Sequence, residues 1–484
     1  MAVSGHLAWW PIEAKRREVG RREPVHMTST STFVTDIEEL RFRLQGGLHE
    51  PGDSYYEDSC TLFNTMVNRR PQYVAECLAV DDVVAALAFA RSHDLPVAVR
   101  AGGHSVAGLS LCDGGLVLDL RGMADIDVDP GRRIARVGGG ARWADLDRAT
   151  QAHGLATTGG RVSTTGVAGL TLGGGSGWLE RKHGLACDNL VAAELVCWDG
   201  RITRTSSQEN PELLWALRGG GGNFGIVTAL ELALYPLGPE VFAGVALFAA
   251  HRAHQILRTF RDVMHHAPDE LSLACAFITA PDEDDVPTEL RGRPAVAILG
   301  MWAGSVDDGE RALAPIRTLR TDADFFGPTG YADFQCSVDD PPGYRNYWTA
   351  ENVVDLPDEA IDAVARRAAE LPAGPSQLFI VAWGGALARV GPQHSPLAGR
   401  DAAFIVHPLL LWQDAADDER NQALARAFRT DLRPWSTGAT YPNFLGDEGS
   451  RRMRAAYGTS IERLATVKAD WDPHGVFRTH QNIQ

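Results

Sequence analysis

The sequence predicts an α+β fold whose texture changes partway along the chain. Three observations carry this. Up to about residue 240, short apolar strands run into glycine-rich loops. From 241 to 435, longer strand-like runs alternate with helical ones, the pattern of an antiparallel sheet covered by helices. The tail, Tyr441 to Gln484, returns to helix and loop. A length of 484 residues with 44% apolar composition is ample for two domains or three.

Taken in order, residues 33–48 carry a helical pattern in Ile37, Leu40, Phe42 and Leu44, and Asn64 to Arg70 reads as a loop. Tyr73-Val74-Ala75 is strand-like. Asp81 and Asp82 precede Val83, Val84, Leu87 and Phe89, which predicts an N-capped amphipathic helix. Leu95 to Arg100 is a buried strand that runs straight into Gly102-Gly103-His104. Leu116–Leu120 and Ile134–Val137 are further strands, and Trp143 to His153 is a helix stopped by Gly154. Beyond residue 240, strands are expected at Val241–Phe248, Leu271–Thr279, Pro294–Trp302, Gln377–Trp383 and Ala403–Trp412. Helices are expected at Ala253–His265, Asp308–Leu319 and Glu359–Leu371.

Composition removes several function classes. A formal net charge of −16 repels phosphate backbones, so neither nucleic acid nor an anionic membrane surface is an expected partner. No run approaches the ~18–20 apolar residues that a membrane span requires. Residues 1–30 contain two Arg-Arg pairs with no apolar stretch behind them; they read as a disordered extension rather than a secretory signal. The seven cysteines form no C-x-x-C pair, which points to no metal site and no disulfide framework and fits a reducing, cytoplasmic setting.

Three glycine loops, 100–105, 159–177 and 218–225, are the chemical signal. None is a P-loop: Gly173 to Gly177 lacks the Lys-Ser/Thr pair and opens no compact βαβ unit. Backbone N–H groups in such loops can still hold a pyrophosphate, with Arg100 and the Gly102–Ser105 amides as the expected cradle. Any one loop alone reads as a tight turn; three together indicate close backbone approach to a bulky ligand.

The motifs Arg100-Ala-Gly-Gly-His-Ser105, Thr165-Gly-Val-Ala-Gly-Leu-Thr-Leu-Gly-Gly-Gly175, Gly184-Leu-Ala-Cys-Asp-Asn189 and Gly221-Gly-Asn-Phe-Gly225 carry a resemblance. Residues 71–237 resemble the FAD-binding domain typified by vanillyl-alcohol oxidase and p-cresol methylhydroxylase. Tyr441-Pro-Asn-Phe444, Leu464 to Lys468, Asp472-Pro473 and Phe477 resemble the C-terminal segment of berberine bridge enzyme-like oxidases. The resemblance implies a two-subdomain FAD-binding domain over 31–240, a substrate-binding domain over 241–435, and a segment 436–484 that returns to the FAD domain. It further implies covalent FAD, with His104 bonded to the flavin 8α-methyl and Cys187 to flavin C6. A small buried core thiol is the alternative for Cys187. Arg181, Lys182 and His183 lie close to it in sequence with their direction left open, cationic neighbours being what makes a thiol more nucleophilic. Other cofactor contacts are implied at Arg100, Gly102, Gly103 and Ser105; at Gly160, Thr165, Gly166, Gly169, Gly174 and Gly177; and at Asn189, Gly222, Gly225, Val227 and Asn443.

A flavin that takes hydride needs a base beside the substrate. Tyr441 is the first candidate by resemblance, with a packing role as its alternative. His407 is the second, because it interrupts the apolar strand Phe404-Ile-Val-His-Pro-Leu-Leu-Leu-Trp412. Berberine bridge enzyme uses a glutamate on the corresponding strand, and none is present here. Trp348, Trp383 and Trp412 are candidate pocket aromatics or core residues. The implied function is an FAD-dependent oxidase that acts on an alcohol, hemiacetal or amine carbon of a bulky small molecule and reduces dioxygen to hydrogen peroxide. A dehydrogenase using another acceptor, or an oxidative cyclase, is the alternative; bulky Leu190 bears on oxygen access. Expected partners are the small-molecule substrate and dioxygen, with no metal; the oligomeric state is left open.

Overall fold

The computed structural model describes residues 36–478 and residue 483. The extension expected at 1–30 lies outside the described residues. The first sheet has four strands. Tyr73–Glu76 and Val97–Arg100 both pair in parallel with Leu116–Asp119, and Gly47–His49 adds antiparallel to Tyr73–Glu76. Helix Val80–Ser92 makes the crossover. Asp82 does not cap it at the first position. It sits in the first turn and its carboxylate reaches back to accept the backbone N–H groups of Leu78 (2.7 Å) and Ala79 (3.1 Å). Loop 101–105 therefore leaves the carboxyl end of a parallel strand, where open parallel sheets place ligands.

The second sheet is antiparallel, in the order Ile126–Asp129, Ile134–Gly138, Ile226–Ala233, Leu190–Val196, Ile202–Ser206. Its central strand Ile226–Ala233 follows directly from the third glycine loop. The second glycine loop contains a short helix, Val167–Leu172. The helix survives because its glycines fall chiefly at its ends, with Gly166 before it and Gly173 after it.

The third sheet has nine strands. Glu240–Ala249, Pro294–Trp302, Leu271–Thr279, Gln377–Ala382 and Phe404–Trp412 lie side by side, all antiparallel. One face packs on helices. Helix Ala253–His265 presents Ile256, Leu257, Phe260 and Met264 at helical spacing to Cys275, Ile380, Phe404 and Val406. Each fully buried side chain of this size contributes roughly 1.5–3 kcal/mol. The stretch expected as one helix at Asp308–Leu319 is two short ones, Val306–Ala312 and Ala314–Arg317, broken before Pro315. The opposite sheet face alternates in register with the first: Ala276, Ala297, Leu299, Phe379, His407 and Leu409 turn away from the helices and line a cavity. The small residues on that face are what leave room for it. Among the described residues, no helix is long and apolar enough to cross a membrane.

Candidate active site

The cavity has a volume of about 920 Å³ and runs between the glycine loops and the open face of the nine-stranded sheet. Gly102, Gly103, His104 and Ser105 line it from the first loop, and Gly160, Thr165, Gly166 and Gly169 from the second. Gly222, Gly225 and Val227 line it from the third, and Tyr441 and Asn443 from the tail. Two glycines show how the loops meet each other and the cavity. A Cβ on Gly102 would lie 2.2 Å from the backbone nitrogen of Gly166, so the first two loops touch backbone to backbone. Gly169 has nothing within 4 Å of its Cβ direction and lines the cavity, so its bare backbone faces ligand space. A cradle walled by the main chain of three glycine loops suits a dinucleotide such as FAD.

His104 sits on this wall with its ring stacked on Phe63, centroids 4.5 Å apart. Its Nε2 lies 2.9 Å from the Thr164 hydroxyl and its Nδ1 3.4 Å from that of Thr165. Burial, with a smaller push from the Arg142 charge, lowers its pKa to about 3. The imidazole is therefore neutral and keeps a lone pair, the form needed to bond to an electrophilic carbon.

Cys187 sits where a core thiol would. It is fully buried and absent from the cavity wall. Burial and the neighbouring Asp188 carboxylate push its thiol up, against Arg400, whose Nη2 is 3.9 Å from Sγ. The cationic neighbours expected from sequence point elsewhere: Arg181 donates to the carbonyls of Leu271, Trp383 and Ala267, Lys182 donates to Ala303, and His183 stacks on Tyr235. Cys187 is thus a protonated core thiol beside a buried Asp188–Arg400 pair.

Four other expected contacts also lie off the cavity wall. Arg100 braces the first loop from beneath, donating to the Thr61 carbonyl at 2.9 Å and lying 3.6 Å from Asp119. Asn189 is a pin: it donates to the carbonyls of His183 and Leu185 and accepts from the Tyr235 hydroxyl. Gly174 and Gly177 permit close packing instead. A Cβ on Gly174 would strike the Tyr441 ring, and one on Gly177 would strike the Gly159 carbonyl. Of the three tryptophans, Trp348 lines the cavity; Trp383 packs edge-on against Tyr441, and Trp412 donates to Asp418. Leu190 is fully buried and off the wall.

The two base candidates are brought together at one end. Phe444 lies between their rings, stacked on His407 at 4.1 Å and edge-on to Tyr441 at 4.8 Å. The Tyr441 oxygen accepts the backbone amides of Gly175 (2.5 Å) and Ser176 (2.8 Å), and Asn443 Nδ2 at 3.2 Å. Burial raises its phenol above the ordinary value, against the pull of those donors. An oxygen already accepting from these donors is poorly placed to take a proton as well.

His407 is the reverse. Its Nδ1 lies 2.8 Å from the Thr349 carbonyl oxygen, an acceptor only, so Nδ1 carries the hydrogen and Nε2 the lone pair. Nε2 is buried without a hydrogen-bond partner. Burial lowers the pKa to about 4, against the Thr349 hydrogen bond. The residues that sequence reasoning missed, Asp339, Asp340, Gln377 and Phe379, also line the cavity. The acidic turn Asp339-Asp340-Pro341-Pro342-Gly343 was their one visible signal, and nothing in it says which way it faces.

A cradle built by glycine loops, a neutral histidine on its wall and a second histidine at the sheet define a flavin-dependent oxidoreductase. The comparisons make this specific. The FAD binding domain profile matches residues 71–206, and the berberine and berberine-like profile matches residues 440–484. The chain is 32% identical over 465 residues to (R)-6-hydroxynicotine oxidase of Paenarthrobacter nicotinovorans, covering 91% of this chain and 97% of that one. The crystal structure of 6-hydroxy-D-nicotine oxidase from Arthrobacter nicotinovorans superposes with a TM-score of 0.83 at 29% identity, covering 91% of this chain and 98% of the other. Xylooligosaccharide oxidase from Myceliophthora thermophila shares the fold, with a TM-score of 0.80 at 21% identity over 92% of this chain and 98% of the other. The chain belongs to the berberine bridge enzyme-like FAD-linked oxidoreductases, with the vanillyl-alcohol oxidase type of FAD-binding fold.

Proposed function

We propose that this protein is an FAD-dependent oxidase that removes two electrons and two protons from an alcohol, hemiacetal or amine group of a small molecule, with His407 as the base and dioxygen as the final acceptor. The observation that carries the reading is the buried, unpartnered Nε2 of a neutral His407 in the wall of the cofactor cavity. The relatives named above, oxidases by name, support it.

When bound, FAD supplies the hydride acceptor and hands the electrons on to dioxygen. The protein has the remaining tasks. The glycine loops hold the cofactor with main-chain amides. His104, neutral and fixed by Thr164, is the attachment point; Cys187 is not, because its thiol is sealed in the core. His407 Nε2 receives the proton that leaves the substrate nitrogen or oxygen. The Thr349 carbonyl holds the ring in that tautomer and supports the imidazolium that results. Tyr441 is a positioning residue: it ties the Gly175 and Ser176 amides to the tail and steers Asn443 toward the cofactor cavity. Residues 31–240 and 436–484 are assigned to the cofactor and 241–435 to the substrate.

The test is anaerobic mixing of the holoenzyme with panels of amines and of alcohols, followed by admission of air. Flavin bleaching followed by stoichiometric hydrogen peroxide supports the oxidase. Bleaching with no peroxide and slow recovery in air identifies a dehydrogenase instead. No bleaching with any member of either panel overturns the reading.

A further inference from the structure

Two carboxylates line the cavity on the segment between helix Tyr331–Cys336 and strand Arg345–Trp348. They are held very differently. Asp339 is committed to the cofactor side: Oδ1 accepts the Ser163 amide at 2.6 Å and Oδ2 accepts the Ser163 hydroxyl at 2.5 Å. That clamp straps the segment across to the second glycine loop and fixes where Asp340 stands. Asp340 itself accepts from Gln377 Nε2, at 3.2 Å on Oδ1. Among the described residues, no Lys, Arg or His forms an ion pair with either carboxylate. Nor is any group of three His, Cys, Asp or Glu side chains arranged to hold a metal.

The sheet connects this carboxylate to the base. Phe379 is the cross-strand partner of His407, and Gln377 lies two residues before Phe379 on the same strand. With a strand period of two, Gln377, Phe379 and His407 project from one face into one cavity. His407 is 1% exposed and its Nε2 has no partner, so a bare imidazole acceptor and the Asp340 carboxylate share this wall. Phe379, Trp348, Tyr344 and Phe444 line the same cavity. Aromatic faces attract a cation. Burial, and then the adjacent Asp339, raise the Asp340 carboxyl to about 7, the cost of a carboxylate without a counter-charge.

We propose that Asp340 is the specificity-determining residue of this cavity, and that the substrate carries a positively charged nitrogen, the ammonium form of a secondary or tertiary amine, paired with Asp340 and resting against the aromatic wall. The proposal rests on the oxidase reading for the use of the cavity; the ion pair itself involves no transfer of electrons. It narrows the substrate from alcohol, hemiacetal or amine to amine.

The experiment is calorimetric titration of the holoenzyme with two ligands of one shape, (4-hydroxyphenyl)trimethylammonium and 4-tert-butylphenol. The cation is expected to bind at least about ten-fold more tightly, as a desolvated ion pair with aromatic contacts allows. The preference is expected to disappear in Asp340→Asn and to persist in Asp282→Asn, another carboxylate of the cavity wall. Melting temperature and flavin absorbance check that each variant is folded and loaded. The comparison of the two ligands on the unaltered protein needs no variant at all. Equal binding of the two, a preference that survives in folded Asp340→Asn, or binding of neither overturns the proposal. A failure of the oxidase reading would appear as absent flavin bleaching, which this binding measurement does not consult.

Discussion

His407 Nδ1 stands 2.8 Å from the carbonyl oxygen of Thr349, and that contact leaves Nε2 as a bare acceptor in the cavity wall. Replacement His407→Asn is expected to slow flavin reduction by roughly 10²–10⁴-fold, the usual contribution of a positioned base, with KM and flavin content little changed. The pKa near 4 means that the base is already unprotonated in mildly acidic solution. The acidic limb of kcat/KM is therefore expected near pH 4 rather than near the ordinary histidine value of about 6.5. A variant that reduces flavin as fast as the parent would remove His407 from the mechanism.

The proposed attachment of flavin distinguishes His104 from Cys187. Acid-precipitated parent protein is expected to retain its yellow colour, as is Cys187→Ser. His104→Ala is expected to release free FAD into the supernatant. Mass spectrometry of the flavin-bearing peptide checks the assignment directly, and flavin recovered on a Cys187 peptide would contradict the buried position found here.

Tyr441→Phe removes the oxygen that accepts the amides of Gly175 and Ser176. Leaving buried donors unsatisfied costs about 1–3 kcal/mol each. The melting temperature is expected to drop by several degrees, while flavin reduction slows by far less than in His407→Asn. A rate loss as deep as that of the histidine variant, with an unchanged melting temperature, would make the tyrosine the base after all.

Asp147 lies on helix Trp143–Gln151, fully enclosed, and burial raises its carboxyl to about 7 against the hydrogen bond from Gln335. A free carboxyl titrates near 3.9. The folded state thus binds this proton more tightly than the unfolded state, so the group costs nothing below about pH 4 and its cost grows until about pH 7. Asp147→Asn carries no such proton. Its melting temperature relative to the parent is expected to rise by several degrees between about pH 4 and pH 8. A difference that stays flat across that range would show that the carboxyl is not perturbed.

Much of this protein is determined by sequence alone. Apolar alternation and helical spacing place the strands Leu271–Thr279 and Pro294–Trp302 and the helix Ala253–His265 to the residue, because these signals are local and repeat along the chain. The glycine loops and tail motifs likewise mark the cofactor fold, since a backbone that must approach a ligand or another backbone closely admits no side chain there. What a residue faces is a different matter. Cys187 and His104 both sit in motifs, yet one is sealed beside Arg400 and the other is open to the cavity. Tyr441 and His407 are both base candidates in the sequence, and only their hydrogen-bond partners set them apart. Asp340 was invisible as a site residue, for its meaning comes from Ser163 and Gln377, distant in sequence and adjacent in space. Hydrogen-bond satisfaction and burial are properties of three-dimensional neighbours, and only the tertiary structure supplies those.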